Sequence, residues 1–577
     1  MLSLPRLLGV SAFVAAALTT TASASSQALR VNGWYPCGYS SEVQFDADTY
    51  EEITVFECAE LEVPLCYEGI CESDDKINFF VKRLEATNPP KDGPRKALIL
   101  AQGGPGYASP AMESTMQSLI QYLNGTVDFY TFDHRGTGRS EFLMCDAAQA
   151  LTGGSPNGTT LSLNEISACL KDINFQYDSH AEAFSVASAA HDIESLINTV
   201  LPEHEVYFAG YSYGTYLAQR ILQLQLPQIA GYVFDGVDVL SSKGDELESS
   251  NSNWNEAIKA SSRRLLEHCF DDEDCAITFN SRDTVLEEVL DLYDQLDSNI
   301  STNACAKLLN QYSQLDPSVA LRVWLGGLVA DFNSRNQALG MIATVQRCNK
   351  DDQLDLESGL HEAFTNMGGY TSYTASSLDV LSDSSEVLYN VVVFSERWAQ
   401  PAPLKKLRDQ FFFDGPFSMD DENLTYQYCM FTGSDEEACK EIKDNLPANT
   451  ETFHYKRDEN VTKPLKLPSH ASALIFNGGL DFATPLEFGE LLYKKLDGSG
   501  QGVMMVNFDY GVHCGGESVA GSWDSPCRDY LTAAFVLHDG GLDKIDTSCM
   551  ENLPNTTFGL ISEDEGSQVY SFDDGSF

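Results

Sequence analysis

The chain has 577 residues, of which 43% are hydrophobic and 11% aromatic, enough apolar surface for more than one core. Neither a disulfide-stapled mini-protein nor a disordered chain has that make-up. Its formal charge of −49 would repel a phosphate backbone, so nucleic acid is excluded as an expected partner.

Residues 1–24 combine one early cation, Arg6, an apolar run over 8–18 and the small triplet Ala22, Ser23, Ala24. This is the pattern of a secretory signal peptide cleaved before Ser25. The run is shorter than the ~20 residues a membrane span needs, and no later stretch is long and apolar enough to supply a membrane span. The expected location is secreted, or the lumen of the secretory pathway. Fifteen cysteines without a C-x-x-C pair suit disulfides in an oxidising compartment better than zinc. The local spacings Cys58/Cys66/Cys71, Cys269/Cys275, Cys429/Cys439 and Cys514/Cys527 invite short bridges, and the odd count requires one free or intermolecular thiol. Asn124, Asn157, Asn299, Asn423, Asn460 and Asn555 stand in Asn-x-Ser/Thr triplets and are candidate glycosylation acceptors.

Residues 25–95 form an N-terminal extension with β-like stretches, closed by the turn-rich loop 88–94. From there, short apolar runs at 96–101, 127–132, 206–209, 231–234, 473–476 and 503–508 read as buried strands. Helix-length segments separate them, 187–200 with Ile193, Leu196 and Ile197 on one face being an example. The alternation predicts an α/β fold with a mostly parallel sheet and helices on both faces. It stops over 241–465, where 253–269, 284–296 and 319–346 read as helices. The expected organisation is a core in two parts, 96–240 and 466–545, with a large inserted helical cap over 241–465 and an acidic tail over 546–577. A cap in that place would cover the carboxyl ends of the strands, where open α/β sheets bind ligands.

The run 206–215 joins a strand to the amphipathic segment containing Tyr216, Leu217, Ile221 and Leu222, with Ser212 between Gly210 and Gly214. A serine on a sharp strand-to-helix turn needs small neighbours, so G-x-S-x-G here points to a nucleophile rather than a plain Gly-Ser turn. Acyl transfer by serine also needs a base, and the base needs an acid to fix its tautomer. Of the six histidines after Ser212, namely His268, His361, His454, His470, His513 and His538, only His513 follows directly on a predicted strand, in the loop 509–516. Asp481, in the turn after the strand 473–476, is the candidate acid; a helix cap ahead of Pro485 is the structural alternative, and Asp509 is the nearest rival. Oxyanion binding requires free backbone N–H groups. The glycines of Gln102-Gly103-Gly104-Pro105-Gly106 allow close main-chain approach, which nominates the N–H groups of Gly104 and Tyr213. Without a following Gly-Lys-Ser/Thr, a phosphate loop is the weaker reading. The glycine-rich turn 133–140 reads as structural, with Asp133 and Arg135 as braces for the oxyanion loop or its neighbouring strands.

Taken together, Gly103 to Gly106, the run Phe132-Asp-His-Arg-Gly-Thr-Gly-Arg-Ser140, Gly210 to Thr215, Gly479-Leu-Asp481 with Thr484-Pro485, and His513 resemble the α/β-hydrolase serine peptidases of the prolyl and tripeptidyl aminopeptidase family. The resemblance spans about 95–240 and 430–540, the latter like that family's tripeptidyl-aminopeptidase C-terminal region. It implies the α/β-hydrolase fold, Ser212, Asp481 and His513 as a triad, an oxyanion loop at Gly103 and Gly104, and a cap that selects substrate. Gln102 departs from the histidine that family often has before its Gly-Gly-Pro-Gly.

The expected function is a secreted serine exopeptidase acting on peptides with a free N-terminus, with no cofactor and no metal. A carboxylate in the cap would hold the substrate ammonium; the resemblance nominates Glu396, whose structural alternative is a surface residue paired with Arg397. The alternatives are an esterase or lipase with the same triad, and a non-catalytic secreted binding protein on a hydrolase scaffold.

Overall fold

The computed structural model describes residues 29–38, 56–145, 161–241, 249–330, 334–361, 384–419, 421–518 and 525–553. The leader 1–24, Asn157, Asn555 and the tail from 554 lie outside the described residues.

Nine strands form one sheet: β1 (Tyr35–Cys37), β2 (Phe56–Pro64), β3 (Lys76–Leu84), β4 (Lys96–Ala101), β5 (Val127–Asp133), β6 (Glu205–Tyr211), β7 (Ile229–Asp235), β8 (Ser472–Gly478) and β9 (Val503–Phe508). Their spatial order is β1-β2-β3-β5-β4-β6-β7-β8-β9. From β5 to β9 every neighbouring pair is parallel, and β1, β2 and β3 extend the sheet antiparallel beyond β5. This is an α/β-hydrolase fold, with the six parallel strands where the apolar runs placed them. The N-terminal extension contributes β1, β2 and β3 to the same sheet, joined to it where β3 pairs with β5 across a long sequence interval.

Alternate residues of the central strands feed two cores. Ile99, Ala101, Phe208, Tyr232 and Phe234 belong to one face, which the helices Leu163–Gln176, Val186–Val200 and Tyr213–Leu224 cover. Leu98, Leu100, Tyr207, Ala209 and Val233 belong to the other, covered by Pro110–Leu123 and Pro526–Leu537. Strands buried on both faces lose the polar alternation of a half-exposed strand, which is why they read as continuous apolar runs.

Between β7 and β8 the described chain is helices and loops. Described residues between 258 and 360 form a second core, around Leu265, Tyr293, Trp324, Leu325 and Ile342, which Phe417 and, from the turn after β8, Leu480 and Phe482 join. The segment 319–346, expected as one helix, is two, Pro317–Ala330 and Gln337–Arg347. Helices Glu386–Glu396 and Glu422–Thr432 instead join the core of the first face, packed on each other, with Glu422–Thr432 against the helix Leu163–Gln176. The insertion is thus not one uniform layer. Its polar side chains also hold the turn after β8: Ser261 Oγ donates to Asp481 O at 2.6 Å, Arg264 Nε to Gly479 O at 2.6 Å and Trp254 Nε1 to Phe482 O at 2.9 Å.

Seven disulfides are present, Cys37–Cys58, Cys66–Cys71, Cys145–Cys169, Cys269–Cys275, Cys305–Cys348, Cys429–Cys439 and Cys527–Cys549. Such a set is compatible with an oxidising compartment. Cys514 is free among the described residues, so the Cys514/Cys527 spacing does not make a bridge; Cys527 reaches forward to Cys549. That bond ties residues 548–552 to the body of the molecule, so the tail begins later than residue 546. No helix among the described residues is long and apolar enough to cross a membrane. Asn124, Asn299, Asn423 and Asn460 are exposed.

Candidate active site

Ser212 sits between the end of β6 and the helix Tyr213–Leu224 with φ 54°. With ψ −125° this lies outside the left-handed helical region, a strain of about 1–3 kcal/mol for a residue with a Cβ, and the surroundings that hold it are glycines. A Cβ on Gly210 would lie 2.3 Å from Gly214 O, and one on Gly214 would lie 2.3 Å from Ala101 O. The G-x-S-x-G spacing is therefore enforced by backbone contact across β4 and β6.

The loop after β4 passes directly over the serine. A Cβ on Gly103 would stand 2.7 Å from Ser212 Cβ and 3.2 Å from its Oγ, and Gly104 has φ +118°. Gly103 is thus the residue pressed against the hydroxyl, with Gly104 next along the loop. As the first residue of its helix, Tyr213 has an N–H without an intrahelical acceptor. Asp133 braces this loop from below: Oδ1 accepts from Ser109 N at 2.8 Å and Ser109 Oγ at 2.6 Å, and Oδ2 accepts from Arg139 N at 2.8 Å. Arg135 braces a different place, donating to both oxygens of Asp192 at 2.7 and 2.6 Å and to Leu65 O at 2.8 Å. From the insertion, Ser385 N donates to Gly106 O at 3.0 Å.

β8 and β9 carry the other two candidates. Their carboxyl-end turns are pressed together, Gly479 N donating to Phe508 O at 2.8 Å and Leu480 N to Gly511 O at 2.9 Å. A Cβ on Gly479 would stand 2.1 Å from Asp509 O. This contact delivers Asp481 to His513: Nδ1 lies 2.8 Å from Asp481 Oδ2. The carboxylate is fully buried and also accepts from Ala483 N at 2.8 Å, Thr484 N at 2.7 Å and Thr484 Oγ1 at 3.0 Å. Burial works against the imidazolium of His513, but the Asp481 carboxylate beside it prevails and holds the pKa well above the ordinary histidine value. In sequence Thr484 stands only as part of a motif; its hydrogen bonds to Asp481 arise in the folded chain. Asp509 is exposed and its side chain is not bonded to His513.

Ser212 and His513 meet at the same rim without bonding to each other. Asp235 O, at the end of β7, accepts from Ser212 N at 3.0 Å and from Cys514 Sγ at 3.3 Å. His513 Nε2 is 3.7 Å from Cys514 Sγ, and no hydrogen bond joins it to Ser212 Oγ among the described residues. A second histidine lies beside Tyr213: His134 is buried, its ring 5.6 Å from that of Tyr213, and burial pushes its pKa down to about 4, so it stays neutral.

Glu396 is 4% exposed and meets the helix Tyr213–Leu224 through Tyr216. Oε1 accepts from Tyr455 OH at 2.6 Å and Val186 N at 3.2 Å, and Oε2 from Tyr216 OH at 2.9 Å. It is no surface residue and does not pair with Arg397, whose guanidinium meets Asp238. A substrate ammonium at Glu396 has to join or replace the tyrosine hydroxyls.

The family described as alpha/beta hydrolase fold matches residues 96–282. The curated protein "Putative hydrolase YuaR" of Escherichia coli (strain K12) is 27% identical over 192 residues, 33% of this chain; the match spans only 38% of that protein's length. Among solved structures, a proline iminopeptidase from Mycobacterium smegmatis is 13% identical with a TM-score of 0.32, covering 83% of this chain and 98% of its own. An esterase from Exiguobacterium antarcticum is 11% identical with a TM-score of 0.28, covering 76% and 90%.

Proposed function

We propose that the chain is a secreted serine hydrolase, an exopeptidase that releases N-terminal residues or tripeptides from peptides with a free N-terminus. Ser212 is the nucleophile, His513 the base and Asp481 the acid that orients it. The hydroxyl proton passes to Nε2 of His513 as Oγ attacks the peptide carbonyl; the tetrahedral oxyanion is met by the N–H groups of Tyr213 and Gly104. Collapse expels the amine with the proton held by His513, and water then frees the acyl group by the same route in reverse. Before chemistry, Nε2 has to turn from Cys514 towards Ser212, a tightening that substrate binding brings about in many such sites.

The observation that carries this reading is the 2.8 Å bond of Asp481 to His513 at the strand ends beside a serine held at φ 54°. The preference for peptides rests on the motif set and on an interior carboxylate, Glu396, bonded to Tyr216 of the helix that follows Ser212. The insertion contacts both the turn of Asp481 and the oxyanion loop, which supports its role as a substrate-selecting cap.

The test is covalent labelling by a phosphonofluoridate in wild type and Ser212→Ala, followed by rates on mono-, di- and tripeptidyl amides with free and blocked amines and on simple esters. We expect labelling that depends on Ser212, and amide hydrolysis lost on blocking the amine. Equal rates on blocked amides, or activity on esters alone, would overturn the exopeptidase; Ser212-independent or absent labelling would overturn the hydrolase.

A further inference from the structure

Asp235 and Arg528 form a buried charged pair that the acyl-transfer scheme leaves unused. Asp235 ends β7 with its side chain 4% exposed, and its Oδ2 lies 3.2 Å from Nη1 of Arg528, on the helix Pro526–Leu537. The same Nη1 donates to the main-chain carbonyl of Cys514 at 2.7 Å, one residue past His513. The main-chain carbonyl of Asp235 receives Ser212 N. One residue therefore touches the nucleophile's backbone through its own carbonyl, and through its carboxylate it holds the cation that anchors the imidazole's loop.

The packing around this pair is close enough to transmit position. Gly236 has φ +63°, and a Cβ there would lie 2.6 Å from Cys514 Sγ and 3.0 Å from the His513 ring. Gly516, with φ +56°, lets the loop lie against Arg528, where a Cβ would meet Arg528 Cβ at 2.7 Å. A second acceptor, Asp529, takes Arg528 Nε at 3.0 Å and fixes the guanidinium plane. Arginine suits this task because its rigid fork serves several acceptors at once, which a lysine ammonium cannot do in the same plane.

We propose that Asp235 and Arg528 are positioning residues for the acyl transfer: the guanidinium ties the main chain beside His513 to the end of β7 and so sets the imidazole's distance from Ser212. This rests on the reading of Ser212 and His513 given above and adds two residues to it. The titratable and charged groups gathered there are Arg528 and Asp529 from the helix, His513 and Cys514 from the loop, Asp481 from the turn after β8, and Tyr211 from β6. Burial lifts the Asp235 carboxyl to about 6 against the pull of Arg528 and His513, so it is ionised at neutral pH and adds negative potential to the imidazole.

The experiment is the rate of phosphonofluoridate labelling of the full chain from pH 5 to 9, resolved into binding of the probe and the chemical step, for wild type, Asp235→Asn, Arg528→Lys and Arg528→Met. Melting temperatures run alongside. Arg528→Met should slow the chemical step about tenfold to a hundredfold with probe binding unchanged, and Arg528→Lys should recover part of the loss. Asp235→Asn should move the acid limb to lower pH, since a negative charge near the imidazolium is gone, and Arg528→Met should move it higher. The proposal is overturned if the variants label at the wild-type rate with the wild-type limb. It is equally overturned if folded variants show proportional losses in binding and chemistry with no movement of the limb, or if all three fail to fold, since either marks a purely structural pair. Wild type that takes no label on Ser212 overturns the hydrolase reading itself, and the positioning role with it.

Discussion

Asp481 and Glu396 are both buried carboxylates, and each accepts at least three hydrogen bonds. What separates them is the proton chemistry of their partners. Asp481 meets an imidazole, whose proton exchanges near neutrality. Glu396 meets two tyrosines, Tyr216 and Tyr455, whose pKa values burial and the carboxylate push far above the ordinary phenol, so neither hydroxyl ionises at working pH. The first arrangement can take up and return a proton within a catalytic cycle. The second fixes geometry. Burial and hydrogen bonding alone do not mark a catalytic acid; the partner's ability to titrate does.

The largest effect that tests this contrast is Asp481→Asn. The amide keeps the shape and the bond to Thr484 but selects the wrong imidazole tautomer, so the chemical step should fall about 10⁴-fold. Melting should fall at pH below the unfolded histidine pKa, where the pair's contribution is lost, and change little above the folded value. A fall of less than tenfold would place the acid elsewhere, and measured rates of Ser212 labelling decide it.

Much of the Asp481 side was legible in sequence because backbone crowding leaves little choice of residue there. Gly210, Gly214, Gly103 and Gly479 each sit where a Cβ would strike main chain or the serine, and the strands between them are apolar on both faces. The Glu396 side was legible only as a resemblance. Its donors come from 180, 59 and 210 residues away, and no local pattern announces a tyrosine whose hydroxyl points inward. The same applies to Asp235 and Arg528, 293 residues apart. Asp235 followed by a glycine at a strand end was a visible signal, but its partner was not. β2 and β3 were read as β-like without their place in the sheet, since antiparallel pairing of β3 with β5 reaches past β4.

Next in size is Glu396→Ala, where the expected loss is in stability rather than in chemistry. Removing the carboxylate strands two tyrosine hydroxyls and Val186 N in the interior, beside the buried cations Arg397 and Arg220. Breaking a buried charged network of this kind costs about 3–5 kcal/mol. Denaturant unfolding of the full chain measures it. Glu396→Gln keeps two acceptor sites and should be milder in stability, so it isolates the proposed ammonium contact: loss of the preference for free over blocked amines in that variant would give Glu396 a substrate role as well as a structural one.

A smaller effect concerns pH. Because Asp481 holds the imidazolium of His513 above the ordinary histidine value, the neutral base becomes available only at higher pH, and the acid limb of the labelling rate should lie above about 6.5. The sign for stability is fixed by the same shift. The raised folded pKa makes the Asp481–His513 pair's contribution fully present below the unfolded histidine pKa and lost as pH rises through the folded value. Asp481→Asn should therefore flatten the change in melting temperature across that window, whereas Glu396→Gln should leave it as in wild type. An unchanged slope in Asp481→Asn would remove the pair as its source.

The smallest effect expected is that of Tyr455→Phe, which deletes one hydroxyl and leaves the ring in place. Glu396 keeps Tyr216 OH and Val186 N, so the carboxylate is not left without donors, and the loss should be about 1.5–3 kcal/mol, the range for a hydrogen bond to a charged group. The chemical step at Ser212 should stay within a few-fold, because the missing bond joins two groups that exchange no proton. If Tyr455→Phe instead slowed the chemical step as strongly as Asp481→Asn, the two carboxylates would be coupled through the helix Tyr213–Leu224. The contrast between an exchanging and a fixed acid would then fail.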